Sequence, residues 1–235
     1  MKLRTKVAAL AAGTVALVTA SVAGTVAYLT DRQSVVNTFT IGNAAIILDE
    51  AAVDQYGDPI AGEDRTRIGN EYRLIPGETY VKDPRITITA GSEAVYVRML
   101  VTINRIEALN EMSGGEFLPE NYVGTTWDAN VWKCVGIEDN GDDTKTYEFR
   151  YYDTENQSYI VNAANAEADL VLEPLFEEFT IPGSVTSDQI QTLQDLKITV
   201  VGHAVQAVGF GDPVNAPEAA AEEAWSAFDQ QYSAT

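Results

Sequence analysis

His203 is the only imidazole in this chain and Cys134 its only thiol, so nucleophilic and metal chemistry start from a short roster. A lone His cannot build a His-Glu-x-x-His helix, and one Cys and one His together leave a zinc site unfilled. His203 lies in Val200-Val201-Gly202-His203-Ala204-Val205, inside a predicted strand and beside no acid, which reads as a partly buried strand histidine. No Gly-x-Ser-x-Gly elbow and no glycine-rich phosphate loop closing on Lys occurs. Paired carboxylates can hydrolyse glycosides, but 35 acidic residues nominate no pair. Calcium is the one cofactor the side chains suggest. Asp139, Asp142 and Asp143, around Asn140-Gly141, place hard oxygens in one turn, and Asp49, Glu50, Asp54 and Asp58 form a second cluster. Neither fits the twelve-residue loop with its terminal Glu, and a solvated turn accounts for either. The balance of these residues falls against an enzyme.

The elements that would position such groups belong to an acidic chain. Fifteen Lys and Arg against 35 Asp and Glu give a net charge of −20, which excludes nucleic acid, whose phosphates need clustered cations. It equally disfavours simple adhesion to an anionic lipid surface. Disorder does not follow, because 46% of the residues are hydrophobic and supply a core. The first 27 residues read as an export signal: Lys2, Arg4 and Lys6, then an apolar run, then small residues up to Ala27. A single membrane anchor is the alternative, since the run is long enough to span. Its Thr, Ser and Gly content favours cleavage, between Ala27 and Tyr28, so contact with a membrane is expected only through the uncleaved signal. Cleavage removes three cations and no anion, deepening the charge from −20 to −23. In an exported chain Cys134 has no internal partner and reads as a small buried hydrophobe, with a reactive thiol or an intermolecular bridge as the alternative.

Residues 28–235 read as one mainly β domain. Val35–Ile41 alternates as a strand, with Val36, Phe39 and Ile41 among its apolar positions, and Ala44–Leu48 follows. Asp49–Asn70 reads as a loop, Glu71–Ile75 as a short strand ended by Pro76-Gly77. Further strands are expected at Pro84–Ala90, Ala94–Ile103, Trp132–Ile137, Thr144–Tyr152, Ser158–Asn162, Leu170–Leu172, Glu178–Ile181 and Asp195–Ala207. In Ala94–Ile103, Val95, Val97, Met99, Val101 and Ile103 share one face, while Tyr96, Arg98, Leu100 and Thr102 form a second face too apolar for open solvent. That strand should be covered on both sides. The Asn140-Gly141 pair predicts a hairpin, and short helices are expected within Arg105–Met112 and Ser187–Leu193. Pro217–Phe228 is Ala-rich, with Ala221, Ala224, Trp225 and Phe228 at helical spacing, and should dock Trp225 on the sheet. The sum is an antiparallel β-sandwich with short helices and a C-terminal helix.

Several of these segments stand in a familiar order. Gly24-Thr25-Val26-Ala27-Tyr28-Leu29-Thr30-Asp31 and Asn37-Thr38-Phe39-Thr40-Ile41-Gly42-Asn43 resemble exported proteins processed by a SipW-type signal peptidase, the TasA and camelysin-like family. The likeness continues in Pro76-Gly77-Glu78, Lys82-Asp83-Pro84, Gly91–Arg98, Ala204–Phe210 and Ala224–Phe228, while about Glu107 to Glu155 carries no such motif. The resemblance implies a jelly-roll-like sandwich, secreted by a Gram-positive bacterium to the extracellular matrix or cell surface. It implies fibres in which an N-terminal donor strand, here Val35, Val36, Phe39 and Ile41, completes the sheet of the next copy. A first strand of an ordinary monomer is the competing reading of the same residues. Camelysin-like members imply a metalloendopeptidase, for which this chain lacks a zinc motif, and a monomeric surface binding module is the third alternative.

Overall fold

The computed structural model describes residues 30–34, 44–62, 64–118, 120, 126–162 and 167–233. Among them the chain is mainly β, with every strand pairing antiparallel and one long helix at the C-terminal end. The strands are β1 Thr30–Ser34, β2 Ile46–Ala51, β3 Arg65–Thr66, β4 Thr79–Val81, β5 Arg85–Ile88 and β6 Val95–Asn104. There follow β7 Trp132–Asp139, β8 Thr144–Tyr151, β9 Ile160–Val161, β10 Leu170–Val171, β11 Glu178–Thr180 and β12 Ile198–Gln206. Helices α1 Ile106–Ser113 and α2 Ser187–Thr192 are short, and α3 spans Pro217–Ser233.

The large sheet runs β1-β12-β6-β8-β7, with β9 also on β6; the second runs β10-β5-β2-β3, and β11 pairs β4. Strands β6 and β12 form its spine because their sequences alternate over the whole length. Val95, Val97, Met99, Val101 and Ile103 all point into the core between the sheets, joined there by Tyr147 and Phe149 of β8 and by Ile46, Ile86 and Ile88. Burying a side chain of this size contributes roughly 1.5–3 kcal/mol, so this layer holds the sandwich shut. Gly202, midway along β12, lets the second sheet approach: a Cβ there would sit 3.1 Å from Ile86 Cδ1 and 3.6 Å from that of Ile46.

The opposite face of β6 is covered as its composition requires. Tyr96 and Val205 meet Ala221, Ala224, Trp225 and Phe228 of α3 in a second cluster, with Tyr159 and Ala207 at its side. The hairpin β7–β8 forms, but its tip is longer than a two-residue turn: Asn140 N–H bonds Thr144 O, and positive φ falls on Gly141 and Asp143. α2 carries a capping box between Thr186 and Gln189.

Two expectations need correction. Glu71–Ile75 is not a strand, because its backbone is bonded outside any ladder: Arg73 N–H reaches Gln55 O, and Ile75 N–H reaches the Tyr80 hydroxyl. The Asp49–Asn70 loop begins inside β2 and contains β3, where Glu50 and Ala51 pair with Thr66 and Arg65. Among the described residues, no helix is long and apolar enough to cross a membrane.

Candidate functional site

The edge of the large sheet carries the first described strand. β1 lies antiparallel on β12 from Thr30 opposite Val205 to Ser34 opposite Val201, and leaves Ile198–Val200 uncovered by that pairing. Its sequence, Thr-Asp-Arg-Gln-Ser, is polar for a strand, which is tolerable where one edge faces outward. The cleavage pair Ala27 and Tyr28 and the donor positions Val35, Val36, Phe39 and Ile41 lie outside the described residues. The strand seen on β12 therefore starts upstream of the segment whose alternation predicted one.

Register across the sheet assembles a feature that no local motif announces. Arg32 of β1 stands opposite His203 of β12, His203 opposite Arg98 of β6, Arg98 opposite Arg150 of β8, and Arg150 opposite Lys133 of β7. Four cations and the only imidazole thus occupy one cross-strand row. Like charges directly opposite on a sheet repel, so the row needs interleaved acids. Glu148 supplies one from the sheet: its Oε1 accepts from Arg150 Nε at 2.7 Å and lies 3.6 Å from Arg98 Nη1.

Helix α3 supplies the others, because Glu222, Trp225 and Asp229 recur on one helical face. Asp229 receives both terminal nitrogens of Arg98, at 3.0 Å from Nη1, and Glu222 accepts from Arg150 Nη1 at 2.8 Å. The Arg98 guanidinium, 3% exposed, lies 4.5 Å from the Trp225 ring centroid and 5.2 Å from that of Phe228. Burial works against the Arg150 charge, yet the bonds to Glu148 and Glu222 outweigh it and hold the group above its ordinary pKa. Lys133 Nζ caps the row over the Tyr152 ring at 3.4 Å.

His203 is buried, as its strand position suggested. Its Nδ1 accepts from Arg98 Nε at 3.1 Å, and Phe228 covers the ring at 4.7 Å between centroids. A base must reach a substrate proton, and a ring roofed by Phe228 is badly placed to do so. Cys134 is half-buried on β7; burial, above all, raises its pKa, which disfavours a reactive thiolate.

The acidic turn residues are spent on local bonds. Asp139 accepts from Gly141 N–H at 3.0 Å, Asp142 from the Thr144 hydroxyl at 2.6 Å, and Asp143 from Glu107 N–H in the first turn of α1 at 2.8 Å. In the second cluster, Asp49 faces Arg65 and Arg85, Glu50 faces Lys82, and Asp54 accepts from Tyr56 and Asp58 N–H. Among the described residues no group of three or more His, Cys, Asp or Glu is arranged to hold a metal ion.

Sequence reasoning missed the row, although one signal was present: Arg98 interrupts an otherwise apolar second face of β6. Neither a known family, nor a curated protein, nor a solved structure matches this chain.

Proposed function

We propose that this chain is a secreted, non-enzymatic matrix or cell-surface protein, released by a SipW-type signal peptidase, that self-associates by exchanging its N-terminal strand. The observation that carries the reading is the place of β1: five residues on the outer edge of β12, at the N-terminal side of the described chain. An edge strand joined to a single neighbour can be supplied by another copy without altering the ladder it completes. Transfer of that kind is head-to-tail and does not close, so it propagates as a filament.

The test compares the chain beginning at Tyr28 with one lacking residues 28–42, both checked for folding by circular dichroism. The longer chain is expected to form filaments under the electron microscope, and the shorter one is not. A synthetic peptide of residues 28–42 should bind the shorter chain. Filaments from both, or a peptide that does not bind, overturn the reading. At −23 the subunits repel, so assembly should be promoted by salt, acid or divalent cations; light scattering that stays flat from about pH 4 to 8 counts against this.

A further inference from the structure

The end of the sandwich where β6 and β12 meet α1 and α2 holds a pocket of about 230 Å³. Ile103 and Ile198, paired across the two strands, line it with Leu109, Phe179 and Leu193, and Ser113 is its exposed member on α1. Among the described residues, no side chain lining it is ionisable. The hydroxyl of Thr180, which also lines it, is already bonded to that of Thr79 at 2.8 Å.

Protein interiors close-pack to crystal-like density, and voids much larger than a water molecule are few. A space of this size, apolar on its walls and open at one side, gives water too few polar partners to be held well. For scale, an engineered cavity of about 150 Å³ lined by Leu, Ile and Phe takes up benzene. Charge narrows the occupant further. With no cation among the described residues of the wall and a net charge of −20 on the chain, a carboxylate or phosphate tail would be repelled without a partner.

We propose that this pocket is a binding site for a small uncharged apolar molecule, of the size of a fused bicyclic ring or a substituted single ring. Recognition rests on shape and desolvation, with the Ser113 hydroxyl able to meet one polar atom at the mouth. The site is separate from the β1 edge, which pairs with Val201–Val205, so it stands or falls independently of strand exchange.

Indole, neutral and bicyclic, is the probe. Titrated into the methyl-labelled full chain, it is expected to shift the methyl resonances of Ile103, Leu109, Leu193 and Ile198, with a dissociation constant below about 1 mM. Calorimetry should give a negative heat-capacity change on binding. Ser113→Trp, which blocks the mouth from an exposed position, should weaken binding at least about tenfold at unchanged melting temperature. Val185→Trp, which fills the pocket from its wall, provides a second reading if the first variant fails to fold. Indoleacetate, the anionic analogue, should bind more weakly than indole. Shifts scattered away from these methyls, equal affinity for the blocked variants, or preference for the anion would each overturn the assignment. So would loss of indole binding as protein concentration rises, since a second copy would then be the occupant.

Discussion

The charges beneath α3 and the charges around β2 solve different problems. Around β2 the partners lie 16 to 32 residues apart: Arg65 bridges Asp49 and Asp83, and Lys82 meets Glu50 at 2.6 Å, with Asn70 on the other oxygen at 2.7 Å. Each cation there has its acid in reach, and the network pins β3, the loop after it and the Lys82-Asp83 segment to β2. Beneath α3 the cations are aligned by the sheet, Glu148 of β8 meets two of them, and the other acids arrive from a helix, 131 residues away in the case of Arg98 and Asp229. One network is complete without distant help; the other has only Glu148 to balance its cations until α3 docks. Helix docking and sheet electrostatics are therefore one event in the second case, and the apolar cover from Trp225 and Phe228 accompanies it.

That contrast can be broken most directly by removing one buried cation from each. Lys82→Met is expected to cost about 3–5 kcal/mol in urea unfolding, because it leaves Glu50 buried without its cation. Arg98→Met should cost about 1.5–3 kcal/mol, because Asp229 is 52% exposed and Glu148 keeps Arg150. The pairs should then diverge. Glu50→Leu with Lys82→Met should return to within about 1 kcal/mol of the parent, because Asn70 Nδ2 keeps its bond to Ala51 O. Arg98→Met with Asp229→Leu should not, since Glu148 and His203 have also lost contacts. Equal recovery of both pairs would erase the distinction.

Alkaline titration acts on both regions and on the core between them. Burial first, then Glu223, raises Tyr96 under α3, while burial and then Glu50 raise Tyr72 beside β2. Burial and then Glu116 push Tyr147 up to about 12. A phenol in the unfolded chain ionises near pH 10, so above that pH the folded state holds protons the unfolded state has lost. Stability from Tyr147 is complete below about pH 10 and falls by roughly 1.4 kcal/mol per pH unit up to about pH 12. Unfolding free energies compared on either side of pH 10 test this, with tyrosinate absorbance as the direct readout.

Smaller effects grade the two networks by exposure. Glu222 is 69% exposed, so Glu222→Gln should cost at most about 1 kcal/mol and less in high salt. Asp142→Ala removes only an exposed turn bond to Thr144 and should stay within about 0.5 kcal/mol. A large loss from either would mean that surface turns and rim charges hold more of the fold than burial indicates.

Much of this architecture can be read along the chain. The two-residue alternation of β6, with apolar side chains on both faces, demanded a cover on each, and the Trp225 and Phe228 spacing marked the helix that provides one. Glu71–Ile75 misled because its apolar and polar residues alternate while its hydrogen bonds go to Gln55 and to a tyrosine hydroxyl. Periodicity reports which side chains are buried, not which backbone groups pair. The candidate edge was half legible: a β-forming segment near the N-terminus was expected, but the strand seen on β12 is the more polar Thr30–Ser34.

By itself the sequence determined the mainly β class, the covered spine strand, the terminal helix, the acidity and the shortage of groups for nucleophilic chemistry, since each depends on residue type and local spacing. Only the tertiary structure decided that Arg32, His203, Arg98, Arg150 and Lys133 stand in one row, and that a ring-sized apolar pocket opens beside Ile103 and Ile198. Register and cavity shape arise where strands distant in sequence meet, and the pairing that brings them together is a property of the whole packed core rather than of any segment.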